Sequence, residues 1–297
     1  MPEGVVYVDG KFFKPSDAKV SVFDHGLLYG DGVFEGIRFY NGRIFKLDEH
    51  MERLAKSAAM IGITLPLSKE EIGKIVLQTA SKSGLKDGYL RPIVTRGEGD
   101  LGLDPRKCTK KPSLIVICST INLYGAKHET GLKATISSYR RVPPSSFNPN
   151  IKSLNYLNNI LAKAEATKRG ADEAIFLDID ACVAEASADN IFVVKDGTIF
   201  APPTTTNLVG ITRGTVLDIA KGLYPIKVEP FKVDFLLKAD EVFITGTAGE
   251  LAPIVDIDGQ KIKDGKPGPV TLDLKKRYMD FVRSTGTPIP PNNGGKA

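Results

Sequence analysis

Short apolar runs broken by turn residues fill the first forty-odd positions and read as strands, and a helical period sets in near position 48. Val5-Val6-Tyr7-Val8 runs into Asp9-Gly10, and residues 36–40 run into Asn41-Gly42 before 43–47. Both dipeptides supply the positive φ values that two-residue hairpins need, so strands joined by tight turns are expected. Asp48 is placed as an N-cap, followed by Met51, Leu54, Ala55 and Ala58 on one helical stripe. Ser68 and Glu71 have the spacing of a capping box, which starts a second helix with Ile72, Ile75, Val76 and Thr79 facing inward. Strands are expected over 89–96 and 113–118.

The pattern lapses across the polar, Gly-containing stretch 122–131, read as a linker. Beyond it, a strand at 132–139 leads through a Pro/Ser/Asn-rich loop (142–150) to a helix over 154–169. That helix carries Leu154, Leu157, Leu161 and Ala164 on one face and stops at Gly170. Strands follow at 174–178 and 190–195, with an Asp196-Gly197 turn. A helix begins near Thr212, a strand spans 241–245, a hairpin turns at Asp258-Gly259, and a helix covers 272–282 before a loose Pro/Gly/Asn tail. Strands with segregated helices, twice over, predict an α+β fold of two unequal domains: 1–121, a linker 122–131, and a larger 132–297.

Composition narrows the function. The chain has 297 residues, 42% hydrophobic and 25% charged, with a formal charge of +5 whose basic residues are scattered. That footprint argues against nucleic acid. No basic-then-apolar leader opens the chain, and its aliphatic runs are strand-sized, so neither secretion nor a membrane is indicated. Cys108, Cys118 and Cys182 are odd in number and lack metal spacing, which suits reduced thiols in a cytoplasmic protein. With only His25, His50 and His128 present, no metal site or Ser–His arrangement is expected.

Four segments carry candidate chemistry. Lys152 sits at a loop-to-helix junction, where a lysine is held more firmly than a solvated one; a surface role is the plain alternative. Glu185-Ala186-Ser187-Ala188-Asp189-Asn190 interrupts two strand-like runs and is either an acidic site loop or an ordinary turn. Gly210-Ile211-Thr212-Arg213 opens a helix whose free N–H groups and threonine hydroxyl can cradle phosphate, unless Thr212 is simply an N-cap. Gly246-Thr247-Ala248-Gly249 follows a strand and permits close ligand approach, or is a plain turn. Gly97-Glu98-Gly99-Asp100-Leu101-Gly102 satisfies G-x-G-x-x-G, yet Asp104-Pro105 follows at once, so no helix is expected there to receive a dinucleotide.

Taken in order, these four segments resemble the fold-type IV pyridoxal-phosphate enzymes, nearest the branched-chain amino acid aminotransferases. So do residues 29–38 (Tyr-Gly-Asp-Gly-Val-Phe-Glu-Gly-Ile-Arg), His50-Met51-Glu52-Arg53-Leu54 and Lys152-Ser153-Leu154-Asn155-Tyr156. The likeness runs from about Val6 to Ile262. It implies pyridoxal 5'-phosphate in an interdomain cleft, with Lys152 bonded to the cofactor aldehyde and shuttling a proton. It further implies Glu185 at the ring nitrogen and Tyr156 at the phenolic oxygen, and Arg53, Ile211, Thr212 and Thr247 at the phosphate. Without the likeness, Arg53 reads equally as a surface partner of Glu49.

Tyr29, Phe34, Tyr89, Arg91, Thr247 and Ala248 match substrate positions. Aromatic walls suit Leu, Ile and Val, and Arg91 suits the second carboxylate of glutamate; for Phe34 and Tyr89 core packing is an equal reading. The implied reaction is transfer of the amino group from branched-chain L-amino acids to 2-oxoglutarate, by a homodimer or higher homo-oligomer. Thr95-Arg96-Gly97 resembles the D-amino acid aminotransferases instead, so that branch and an aminodeoxychorismate-type lyase stay open. Ala201, in Phe200-Ala201-Pro202, stands where the fold type commonly has threonine. A non-catalytic binding protein on the same fold is the reading from another class.

Overall fold

The computed structural model describes residues 4–292 and divides into two compact units. The first holds the chain up to Ile121 together with Ile151–Asn155 and the segment from Val282; the second holds Asn122–Asn150 and Tyr156–Phe281. Each builds a sheet covered by helices.

In the first unit, β1 (Gly4–Val8), β2 (Lys11–Phe13), α1 (His25–Tyr29), β3 (Gly32–Phe34), β4 (Ile37–Tyr40) and β5 (Arg43–Ile44) come first. Next come α2 (Leu47–Met60), α3 (Lys69–Ser83), β6 (Gly88–Thr95) and β7 (Ser113–Ser119). The second unit contains α4 (Lys127–Thr130), β8 (Leu132–Arg140), α5 (Leu157–Lys168), β9 (Glu173–Leu177), β10 (Val183–Ala186), β11 (Asn190–Lys195) and β12 (Thr198–Ala201). It continues with α6 (Ile211–Ala220), β13 (Ile226–Val228), α7 (Val233–Leu237), β14 (Glu241–Gly246), β15 (Glu250–Ile257), β16 (Gln260–Lys261) and α8 (Pro269–Ser284) up to Phe281. β17 (Thr287–Pro288) then joins the first sheet.

That first sheet is antiparallel throughout, in the order β17-β5-β4-β6-β7-β1-β2 with β3 added on β6. Phe39, Ile44, Leu90, Val94 and Val116 of the strands pack with Leu54 and Ala58 of α2 and Ile72 and Val76 of α3 into its core. The second sheet runs β10-β9-β8-β15-β14-β11-β12-β13 with β16 on β15, and is mixed, because β8 lies parallel to both β9 and β15.

Local signals in the sequence act as expected at several points. Asp9-Gly10, Asn41-Gly42 and Asp196-Gly197 all have positive φ. The capping box is complete: Ser68 accepts from the Glu71 N–H, and Glu71 accepts from the Ser68 N–H.

Four expectations need correction. Helix α2 begins at Leu47, not after Asp48. Its N-cap is Lys46 in the left-handed region with no side-chain cap, and Asp48 falls in the first turn, where its charge still favours the helix N-terminus. Helix α5 starts at Leu157 and turns the opposite face inward: Asn159, Ala162 and Ala166 are buried while Leu157 and Leu161 are exposed. Small residues win there because Ala162 and Ala166 meet Ala174, Phe176 and Ala184, a close approach with no room for leucine. The stretch 122–131 is no bare linker, since it forms α4 and sends Tyr124 into the second core. Finally, the tail is ordered at Thr287-Pro288, which pairs with β5, and at Ile289, whose N–H donates to the Gly42 carbonyl; 293–297 lie outside the described residues.

Candidate active site

Lys152 is held through its backbone. The segment Ile151–Asn155 lies along β3, with a bridge between Val33 and Ser153. The Phe34 N–H donates to the Lys152 carbonyl at 2.9 Å, the Lys152 N–H to Ser57 Oγ at 3.2 Å, and the Leu154 N–H to the Gly32 carbonyl at 2.9 Å. With its main chain fixed, the half-buried side chain places Nζ 4.6 Å from the centroid of the Phe34 ring. Arg91 lies over the same ring at 4.6 Å and donates to Tyr89 Oη from Nη2 at 2.7 Å and from Nε at 3.2 Å. Four predicted residues (Phe34, Tyr89, Arg91 and Lys152) therefore meet in one unit. Gly36 makes this possible, because a Cβ there would lie 2.1 Å from Tyr89 Oη. The Tyr29 hydroxyl donates to the Leu101 carbonyl at 2.5 Å.

Arg53 does not pair with Glu49. Its Nε and Nη2 donate to Glu35 at 2.6 and 2.8 Å, and His50 Nδ1 lies 2.7 Å from the same carboxylate. Glu35 is fully buried and His50 nearly so. Burial alone would raise the Glu35 carboxyl, but Arg53 and His50 together hold it well below the ordinary range. Burial pushes the His50 imidazole down against the pull of Glu35, and the nearby Arg53 and Lys152 charges add to that push. The ring is then neutral and donates from Nδ1 to the carboxylate. Sequence reasoning singles out neither Glu35 nor His50 as a site residue, although both lie inside the motifs quoted above.

In the second unit, Glu185 is buried on β10, with Arg141 Nε at 2.5 Å from one oxygen and Asn190 Nδ2 at 3.4 Å from the other. Arg141 escapes sequence reasoning because it sits beside Arg140 at the end of a strand, where two basic residues read as surface. Tyr156 occupies the N-cap position of α5, its carbonyl accepting from the Ile160 N–H.

Helix α6 has Gly210 as its N-cap with no side-chain cap, so Thr212 is not the cap; it lies in the first turn, buried with Arg213. A Cβ at Gly210 would sit 2.0 Å from Asn190 Oδ1, which explains the glycine. Arg213 donates to the Pro202 carbonyl at 3.1 Å. Thr247 and Ala248 lie half-buried on the turn from β14 to β15, where Gly246 pairs with Glu250. At Gly97 to Gly102 no α-helix opens; a single 3₁₀ turn, Pro105–Lys107, follows. Among the described residues no cluster of His, Cys, Asp or Glu could hold a metal.

The model of the amino-transferase class IV family matches residues 32–257. This chain belongs to the class IV aminotransferases.

Known members lie close to it. A Methanocaldococcus jannaschii protein, provisionally named a branched-chain-amino-acid aminotransferase, is 47% identical, over 96% of this chain and 98% of that one. A D-alanine aminotransferase of Staphylococcus aureus is 35% identical over 94% and 98%. The solved branched-chain aminotransferase of the thermophilic archaeon Thermoproteus uzoniensis, with norvaline, superposes with a TM-score of 0.88 at 38% identity, covering 95% of each chain. Two α+β units with mixed and antiparallel sheets are thus the class IV fold.

Proposed function

We propose that this class IV aminotransferase uses pyridoxal 5'-phosphate to move the amino group of branched-chain L-amino acids to 2-oxoglutarate, giving branched 2-keto acids and L-glutamate. The observation that carries this reading is the meeting of Phe34, Tyr89 and Arg91 beside the Lys152 amine. Aromatic faces take an aliphatic side chain, and a guanidinium within reach takes the second carboxylate of glutamate.

The residues present fit the cofactor. Helix α6 leaves its N-terminus without a side-chain cap, a setting that favours phosphate. Glu185 brings a buried acidic side chain, the right partner for a protonated ring nitrogen. When bound, pyridoxal phosphate supplies an electron sink for the bond pair released at the substrate α-carbon. Lys152 anchors it and carries a proton to and from that carbon. Glu185 keeps a proton on the ring nitrogen by accepting from it, and Tyr156 holds the phenolic oxygen. Arg53, the Ile211 and Thr212 N–H groups and the Thr212 and Thr247 hydroxyls hold phosphate. Tyr29 and Ala248 complete the substrate contacts.

Handedness is argued from Arg96. All three of its guanidinium nitrogens are used: Nε and Nη2 on Asp31 at 2.5 and 3.0 Å, Nη2 also on the Ile61 carbonyl at 2.8 Å, and Nη1 on the Gly62 carbonyl at 3.1 Å. Bound in this way it serves the fold of the first unit rather than a substrate carboxylate, which weakens the D-amino acid reading.

A second copy of the chain is the expected partner. Val22, Phe23 and Leu27 are exposed beside Leu101 and Leu103, and the Gly99 N–H to Phe23 carbonyl bond ties the two segments into one apolar face. The three cysteines are free, which suits the cytoplasm, and no described helix is long and apolar enough to cross a membrane.

A donor panel tests the function. With 2-oxoglutarate as acceptor, L-leucine, L-isoleucine and L-valine are expected to react at least about 100-fold faster in kcat/KM than D-alanine. That ratio is of the order a mismatched pocket imposes. Activity with D-alanine and none with L-leucine removes the proposal.

A further inference from the structure

The turn Gly246 to Gly249, which carries Thr247 and Ala248, is moulded around two side chains that belong to other segments of the second unit. A Cβ at Gly246 would lie 1.6 Å from Asp189 Oδ1, and one at Gly249 would lie 2.8 Å from the Tyr124 ring. Both glycines are required because Asp189 and Tyr124 fill that space. The two are joined to each other: Tyr124 Oη lies 2.9 Å from Asp189 Oδ2 and 3.1 Å from Glu173 Oε2, so its single proton is shared between the two carboxyl groups. Asp189 and Glu173 are only 5% and 1% exposed, so these are interior contacts with no competing solvent.

Glu173 is itself anchored. Lys163 Nζ donates to it at 3.0 Å, the Ala174 N–H at 2.8 Å, and the Ser187 hydroxyl also donates to it. Ser187 lies in the loop that follows Glu185, and its carbonyl accepts from Asn159 Nδ2 at 2.6 Å. The Asp189 carbonyl accepts from the Ala186 N–H at 2.8 Å, so the same loop closes back on β10. One phenolic hydroxyl thus links the residue packed under the glycine turn to the loop that follows Glu185. Burial, followed by the two carboxylates, raises the phenol far above its ordinary range, so it remains a donor at every working pH.

We infer that Tyr124 is a positioning residue: through Asp189 and Glu173 it fixes Thr247 and Ala248 relative to the Glu185 loop and thereby sets the affinity for the amino acid carboxylate. The inference rests on the reading of Thr247 and Ala248 as substrate contacts. Its hydroxyl is engaged by Asp189 and Glu173, so Tyr124 acts through the turn.

The test compares the cofactor-loaded wild type with Tyr124→Phe, which keeps the ring and removes the hydroxyl. KM for L-leucine is expected to rise about 10-fold, the scale of one lost hydrogen bond to a charged group. The inhibition constant of 4-methylpentanoate, a carboxylate with no amino group to transfer, should rise in parallel. By contrast, kcat should stay within about 2-fold, a split that general loosening of the fold would not produce. Unchanged KM and inhibition constant overturn the inference, as does a loss confined to kcat or to cofactor affinity.

Should Tyr124→Phe fail to fold, Asp189→Asn and Asp189→Ala replace it. Asparagine retains an oxygen for the Tyr124 hydroxyl and is expected to restore KM toward wild type, whereas alanine raises it; equal KM in the two variants overturns the inference. A wild type inactive on L-leucine sinks the functional reading itself, while an active wild type with an unaltered Tyr124→Phe sinks this inference alone.

Discussion

Lys152→Ala is expected to lower transamination by about four orders of magnitude, the upper end of what a positioned proton-transfer group contributes. The side chain has two tasks in the proposed mechanism, anchoring the cofactor and moving the α-proton, and alanine performs neither. Folding should survive the change. The segment is held by main-chain contacts, those between Phe34 N–H and the Lys152 carbonyl and between the Lys152 N–H and Ser57, and alanine keeps both. Far-UV circular dichroism should therefore be unaltered while steady-state turnover of L-leucine collapses. Turnover at the wild-type rate would remove Lys152 from the mechanism.

Glu35→Gln should cost stability more than any other single change considered for the first unit. The carboxylate is fully buried between Arg53 and His50, and losing its charge leaves a mostly buried guanidinium without its ionic partner. Breaking one side of a buried ion pair typically costs about 3–5 kcal/mol, on the order of 10 °C in Tm for a chain of this size. The acid limb supplies a second readout. Because the native carboxyl titrates below the ordinary range, the unfolded chain binds its proton first as pH falls. Glu35 thus contributes fully above roughly pH 5, where an unfolded glutamate is ionised. That contribution is lost progressively as the pH drops toward the lowered native value. Urea midpoints of the wild type should fall more steeply below about pH 5 than those of Glu35→Gln. Parallel acid limbs would show that the carboxylate is not held as described.

The phosphate role proposed for Arg53 would connect this stability effect to function. Two of its nitrogens are committed to Glu35, so the guanidinium has a fixed orientation before any phosphate arrives. A lysine in its place would have no fork with which to grip Glu35.

How much of this is legible in the sequence depends on the range of the forces involved. Asn41-Gly42, Asp9-Gly10 and the Ser68/Glu71 box act over a few neighbouring residues, and pattern alone places each of them correctly. Pattern misplaces the N-terminus of α2 because Lys46 adopts a left-handed conformation that no side-chain cap announces. Helix α5 reads on the wrong face, since periodicity ranks faces by hydrophobicity, whereas the sheet beneath Ala162 and Ala166 selects for small size. Lys152 is proposed through its motif, but its membership in the first unit, along β3, depends on a long-range pairing that local pattern does not encode. Glu35, His50 and Arg141 go unseen as partners for the same reason, because each acts on a residue distant in the chain. The Tyr124 network lies in a stretch that reads as linker, where a single tyrosine among polar residues gives no periodic signal.

The central claim is that the Lys152 side chain carries the cofactor, and borohydride reduction followed by peptide mapping tests it most directly. Purified protein loaded with pyridoxal phosphate should be yellow, bleach on reduction, and yield a phosphopyridoxyl adduct on the peptide containing Lys152 alone. An adduct on a different lysine, or a protein that takes up no cofactor and stays colourless, would contradict the account.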